Sequence, residues 1–135
     1  NGAGEGTSFN YDAVGNTLTI TQPNGNIVTN IFDEANRLVS SSDLVGAISS
    51  TTFDAMGNRL TQTDGNNNTT RWIYDDLNRV VSLRDAMNQT STMIYNKVGS
   101  VISTTDRNGK TSTTFFDDLH RPLTFYPLFL NQILK

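Results

Sequence analysis

The chain has 135 residues, room for one domain, with 36% hydrophobic and 17% charged residues. Ten Lys and Arg against thirteen Asp and Glu, with no basic run, exclude the phosphate-neutralising surface of a nucleic-acid binder. No Cys is present, so disulfide frameworks and thiolate metal sites are excluded too, and no apolar run reaches the roughly 20 residues of a membrane-spanning helix.

Starting at Asn1 with neither Met nor a signal peptide, the chain reads as an internal stretch or a processed product of something longer. Residues 1–10 read as the partial strand of a leading repeat. From residue 11 a period appears. An aromatic followed by Asp or Asn recurs every 21 residues, at Tyr11, Phe32, Phe53, Tyr74, Tyr95 and Phe116, without insertion.

With the aromatic as position 1, each unit reads as one β-hairpin. Positions 2–5 form a turn: Asp12 to Gly15, Asp33 to Asn36, Asp54 to Gly57, Asp75 to Asn78, Asn96 to Gly99 and Asp117 to His120. Asp at the head of a turn accepts hydrogen bonds from the backbone ahead of it, and Gly or Asn at its end tolerates positive φ. A Thr-rich strand follows at positions 6–11. Its position 8 is always apolar (Leu18, Val39, Leu60, Val81, Ile102, Leu123) and its position 9 always a hydroxyl. A second turn spans positions 12–15, with Asp43, Asp64, Asp85 and Asp106 at its head, and Gly25, Gly46, Asn67, Asn88 and Gly109 at its end. A return strand at positions 16–21 leads into the next aromatic.

Six such units predict an all-β fold: antiparallel hairpin repeats joined into one continuous, twisted, spiralling sheet, a solenoid-like ribbon over residues 11–123. The aromatics Tyr11, Phe32, Phe53, Tyr74, Tyr95 and Phe116 are expected to form a repeat core. They stand roughly 9–10 Å apart, too far to stack on one another, so Leu18, Leu60, Val81 and Ile102 of position 8 are expected to fill between them. Position 21 (Ile31, Ile73, Ile94, Phe115) falls on the opposite face, which suits a rolled or two-layer arrangement. After Leu123 the pattern breaks. Pro127 and Leu130 replace the turn residues, and residues 124–135 are expected to cap the sheet end or to contact another segment.

The unit Tyr-Asp-x-x-Gly-Arg-Leu, followed by Asp-x-x-Gly and a Thr/Tyr-rich strand, resembles the RHS or YD repeat. Residues 74–96, YDDLNRVVSLRDAMNQTSTMIYN, carry the resemblance with Asn78 in the Gly place, and Asp54 to Leu60 is similar with one extra residue before Arg59. Such repeats occur in secreted bacterial toxin shells, insecticidal toxin complexes, wall-associated proteins and teneurin adhesion proteins. The resemblance implies a long β-ribbon that spirals, often into a hollow shell around a C-terminal toxin domain. The autoproteolytic core with Asp-Pro signatures that toxin shells carry has no counterpart here.

Each chemically suggestive residue has a structural explanation. The Asp columns suit turn capping, since columns at opposite strand ends stand roughly 20 Å apart, far beyond calcium's ligand distances of about 2.3–2.6 Å. Arg37, Arg79, Arg121 and Arg59 come just after a turn; they could bind acidic glycans, but are rather expected to pair with turn Asp residues or to lie along the sheet surface. His120 is the sole His and has no partner with which to form a metal site or a triad. Asn67, Asn68 and Asn88 lie in Asn-x-Ser/Thr sequons.

The expected function is therefore structural and non-catalytic, with no cofactor: the wall of a shell or an extended fibre of an extracellular or cell-surface protein. Its partners would be further repeats or domains of a longer parent chain. A second reading is a carbohydrate- or cell-surface-binding module, with Trp72 and Arg79 as glycan contacts. A third is a filament of copies joined through open sheet ends and the apolar tail.

Overall fold

In the computed structural model the described residues are 6–123, and they contain strands and turns but no helix. The tail 124–135 lies outside them, as do residues 1–5. The all-β antiparallel fold expected from the 21-residue period is the one observed. The chain divides into two compact units between Gln89 and Thr90.

Unit one carries β1 (Ser8–Tyr11), β2 (Thr17–Thr21), β3 (Ile27–Phe32), β4 (Leu38–Ser42), β5 (Ala47–Phe53), β6 (Arg59–Asp64), β7 (Thr69–Tyr74) and β8 (Val80–Arg84). Each strand pairs antiparallel with the next in the chain, without crossover. Unit two carries β9 (Thr90–Tyr95), β10 (Val101–Thr105) and β11 (Thr111–Thr113), paired in the same manner. A separate two-stranded pair, β12 (Phe115–Phe116) with β13 (Pro122–Leu123), follows them.

The first turn of each unit has one geometry. In the first, Gly15 N donates to Asp12 O at 3.2 Å, and Asp12 N donates to Asn16 O at 3.0 Å. This is the three-residue hairpin loop, a type I turn closed by one left-handed residue. That residue is Gly15, Gly57 or Gly99 at φ +95°, +90° and +90°, or Asn36, Asn78 or His120 at +59°. His120 accordingly serves as a turn residue.

Position 8 differs from expectation. Tyr11 pairs with Thr17 and Asn10 with Thr19, which leaves Leu18 unpaired in a β-bulge. Val39, Leu60, Val81 and Ile102 are skipped in the same way. An extra residue in one strand turns two consecutive side chains toward the same face. Leu60 therefore lines a depression with Thr61, Arg71 and Ile73, on the face of position 21. Ile102 lines another with Ile94, Ser103 and Thr113. These two residues thus do not interleave with the aromatics: Arg59 shares a face with its partner Phe53, Leu60 beside it takes the other, and the bulge adds Thr61 to that same face.

Neither unit has a second layer among the described residues, where strands contact the strands next to them in sequence. No described hydrophobic residue is fully buried. Phe32, Phe53, Tyr74, Tyr95 and Phe116 are half-buried, and Tyr11 is 55% exposed. Ile31, Ile73, Ile94 and Phe115 on the other face lie open at 55–59% exposure. Among the described residues of either unit, the rolled or two-layer arrangement suggested by apolar residues on both faces is not formed.

One turn is irregular. Asp43 N donates to Gly46 O, closing its loop one residue earlier than the neighbouring turns, and Gly46 takes φ +150°. A bulge at Ile48 restores the register, so the 21-residue spacing survives. The displaced backbone reaches the next turn along this edge: a Cβ at Gly65 would stand 2.9 Å from Ala47 O. A carbonyl oxygen in the backbone cannot swing aside as a side chain can. Gly65→Ala is expected to lose about 1–3 kcal/mol, the usual cost of overpacking, read as a fall in the urea midpoint.

Candidate functional site

The side chains with the most specific geometry lie in the first turn of each 21-residue repeat. Asp12 Oδ1 accepts from Val14 N at 3.0 Å and Asn16 N at 2.8 Å. Asp33, Asp54, Asp75 and Asp117 repeat this pair of contacts with the residues two and four places ahead. At the heads of the second turns Asp64, Asp85 and Asp106 do the same. The carboxylates are thus committed to backbone amides that the hairpin leaves without ladder partners. Glycines 15, 57 and 109 close their turns at positive φ.

These bonds favour the charged form, so the carboxyls of Asp12, Asp33, Asp54, Asp64, Asp75 and Asp117 are held below the ordinary carboxylate value. The leading cause is the Arg37 amide at Asp33, and the side chains of Asn58 at Asp54 and Arg79 at Asp75. At Asp12 the strongest single influence is burial, which raises the value. The bonds from Asn16, Val14 and Gly15 together outweigh it.

The second carboxylate oxygen reveals an alternation. In the first and third units it accepts from an amide: Asn16 Nδ2 at 2.8 Å on Asp12, and Asn58 Nδ2 at 2.9 Å on Asp54. In the second, fourth and sixth it meets a guanidinium: Arg37 on Asp33, Arg79 on Asp75 and Arg121 on Asp117, at 2.6–2.7 Å. The expected Arg–Asp pairs therefore form at these three. Arg59 differs: its Nη1 donates to Gln62 Oε1 at 2.9 Å, and its guanidinium lies over the Trp72 ring at 5.6 Å.

Each kind of turn also reaches its neighbour. Asn16 Nδ2 donates to Asn36 Oδ1 at 3.0 Å, and Asn58 Nδ2 to Asn78 Oδ1 at 2.7 Å. Arg37 instead sits over the Phe53 ring at 4.4 Å, in the cation–π range. The structural period of this edge is therefore two units. The signal is in the sequence: position 5 reads Gly, Asn, Gly, Asn, Gly, His, and position 6 reads Asn, Arg, Asn, Arg, Ser, Arg. Tallying each position for its dominant residue type hides it, because the alternation lies between units.

Trp72 and Arg79, the candidate glycan contacts, are engaged within the sheet. Trp72 is half-buried beneath Arg59, and Arg79 Nε donates to Asp75 at 2.7 Å. Tyr74 Oη donates to Arg59 O at 3.1 Å, which ties the aromatic face together at this point. The arrangement joins hairpins laterally, and its polar atoms have partners inside it.

Residues 53–87 match the RHS Repeat family model. No curated protein matches the chain. Solved structures similar to it include the crystal structure of TcdB2-TccC3-Cdc42, with TM-score 0.66 and 26% identity over 87% of this chain. The crystal structure of TcdB2-TccC3-TEV is similar at TM-score 0.66 and 28% identity, again over 87%. A structure of the Photorhabdus luminescens Tc holotoxin pore, with a mutation in TccC3, gives TM-score 0.67 and 27% identity over 86%. The chain spans only 6–7% of the length of these proteins. Residues 53–87 match the RHS Repeat model, and the hairpins on either side continue the same period, Asx-headed turns and bulge.

Proposed function

We propose that the chain is a non-catalytic structural segment of a secreted or cell-surface RHS-repeat protein, a stretch of shell wall or extended fibre. The observation that carries this reading is the one-layer sheet with apolar side chains open on both faces and no enclosed core among the described residues. Such a sheet gains little from burial by itself and much from neighbours of its own kind. Its polar side chains are used up in holding turns and joining hairpins, which is what a wall requires. The partners in this reading are further repeats and domains of a longer chain.

Stability measured against array length tests it. Arrays lengthened by whole pairs of units, made by duplicating residues 11–52, should melt at progressively higher temperature, because each added interface contributes a nearest-neighbour term. A melting temperature independent of length would remove the reading. A sugar ligand whose binding vanishes in Trp72→Ala would favour a binding module in its place.

A further inference from the structure

The first and third units present the same features to the strand on their N-terminal side. Each has a ring at position 1 (Tyr11, Phe53) and a glycine at position 5 (Gly15, Gly57), at φ +95° and +90°. At Phe53 the place beside the ring is filled. Arg37, the residue just before β4, stacks there, and its Nη1 lies 3.5 Å from where a Gly57 Cβ would stand. At Tyr11 the same place is open among the described residues. Nothing stands within 4 Å of a Cβ at Gly15, Tyr11 is 55% exposed, and β1 is exposed along all four residues.

We propose that the free edge of β1 is a docking site for an antiparallel strand that enters from an Asn-Arg turn, its guanidinium lying over Tyr11 and beside Gly15. This rests on reading the chain as a structural array, and names the partner that its edge selects. The preference follows from what each turn gives and needs. An arginine turn gives a cation, and needs an aromatic ring with no Cβ next to it. An asparagine turn gives an amide donor, and needs the acceptor that Asn36 or Asn78 supplies at position 5. At the β1 edge an incoming asparagine turn meets Gly15, which has no side chain to accept, and leaves the Tyr11 ring, stacked only on Phe9 of its own strand among the described residues, without a cation. Two arginine turns in succession would set the Cβ of an Asn against the guanidinium. The array therefore joins in strict alternation, and its unit of assembly is the pair of hairpins, 42 residues, in place of 21.

Extension in cis tests this. Residues 1–7 are replaced by a copy of residues 32–49, which brings the Asn36-Arg37 turn to the edge in register with Ser8. A parallel chain carries a copy of residues 53–70, with the Gly57-Asn58 turn, and a third carries the first copy with its Arg37→Ala. Melting temperature and amide exchange in Ser8–Tyr11 are read for all three. The arginine copy should slow exchange in β1 at least about tenfold relative to the asparagine copy, and its Arg37→Ala form should melt about 2–4 °C lower. Equal behaviour of the two copies, with a silent Arg37→Ala, overturns the alternation and leaves the array reading intact. If no copy raises the melting temperature above that of the parent chain, the array reading itself fails.

Discussion

Gly57→Val is expected to destabilise the array by more than Gly15→Val, although both glycines hold the same turn position at nearly the same φ. A β-branched residue at φ near +90° is a steric outlier, and such strain costs about 1–3 kcal/mol. Both variants carry that cost. Gly57→Val carries a second, since its Cβ would stand 3.5 Å from Arg37 Nη1, and its methyl groups would reach further. The guanidinium must then leave the Phe53 ring, forfeiting a cation–π contact of about 0.5–1 kcal/mol at this exposure. At Gly15 the space is open. Urea midpoints of the two variants, with Arg37→Ala added to each, form a double-mutant cycle. The difference between the variants should vanish in the Arg37→Ala background, and a difference that persists would refute this account of the clamp.

Acid should weaken the array through its turns. The carboxyls of Asp12, Asp33, Asp54, Asp64, Asp75 and Asp117 are held below the ordinary carboxylate value in the fold. A group with a depressed folded value binds protons more readily when unfolded. Its stabilisation is complete above the unfolded value of about 3.9, and is lost as pH falls through the lower, folded value. The urea midpoint should hold from neutrality to about pH 5 and then fall continuously toward strong acid. Asp33→Asn and Asp54→Asn should each flatten the fall and lower the neutral-pH midpoint, since a neutral amide is a poorer acceptor for two backbone N–H groups. A midpoint that stays flat below pH 4 would show that the turns do not depend on these charges.

Much of the fold was legible because its determinants are local. The recurring aromatic followed by Asp or Asn marked the head of each first turn, and Gly or Asn four places into each turn marked the residue at positive φ. His120 fitted the same place at +59°. Pairing of Arg37, Arg79 and Arg121 with their own turn Asp residues followed from a four-residue separation within one turn. The role of Leu60 was not legible. Its column looks like any apolar strand position, and the roughly 9–10 Å gap between successive aromatics invites it to fill between them. Whether a strand carries an extra residue depends on the partner strand it meets, which no local pattern states. Gly65 is a similar case: it reads as an ordinary turn residue, and only the shortened loop at Asp43 in the neighbouring hairpin explains why a side chain does not fit there.

By itself, then, the sequence determined the 21-residue hairpin, the Asx-headed turns and the antiparallel order, since each rests on backbone preferences and hydrogen bonds closed within a few residues. Tertiary structure decided what lies between hairpins: which face the bulge gives to position 8, which ring each guanidinium covers, and how amide and cation alternate along the edge. Those contacts join residues about 20 positions apart, such as Asn16 with Asn36. They exist only once neighbouring strands have set the register that brings the two side chains within hydrogen-bonding reach.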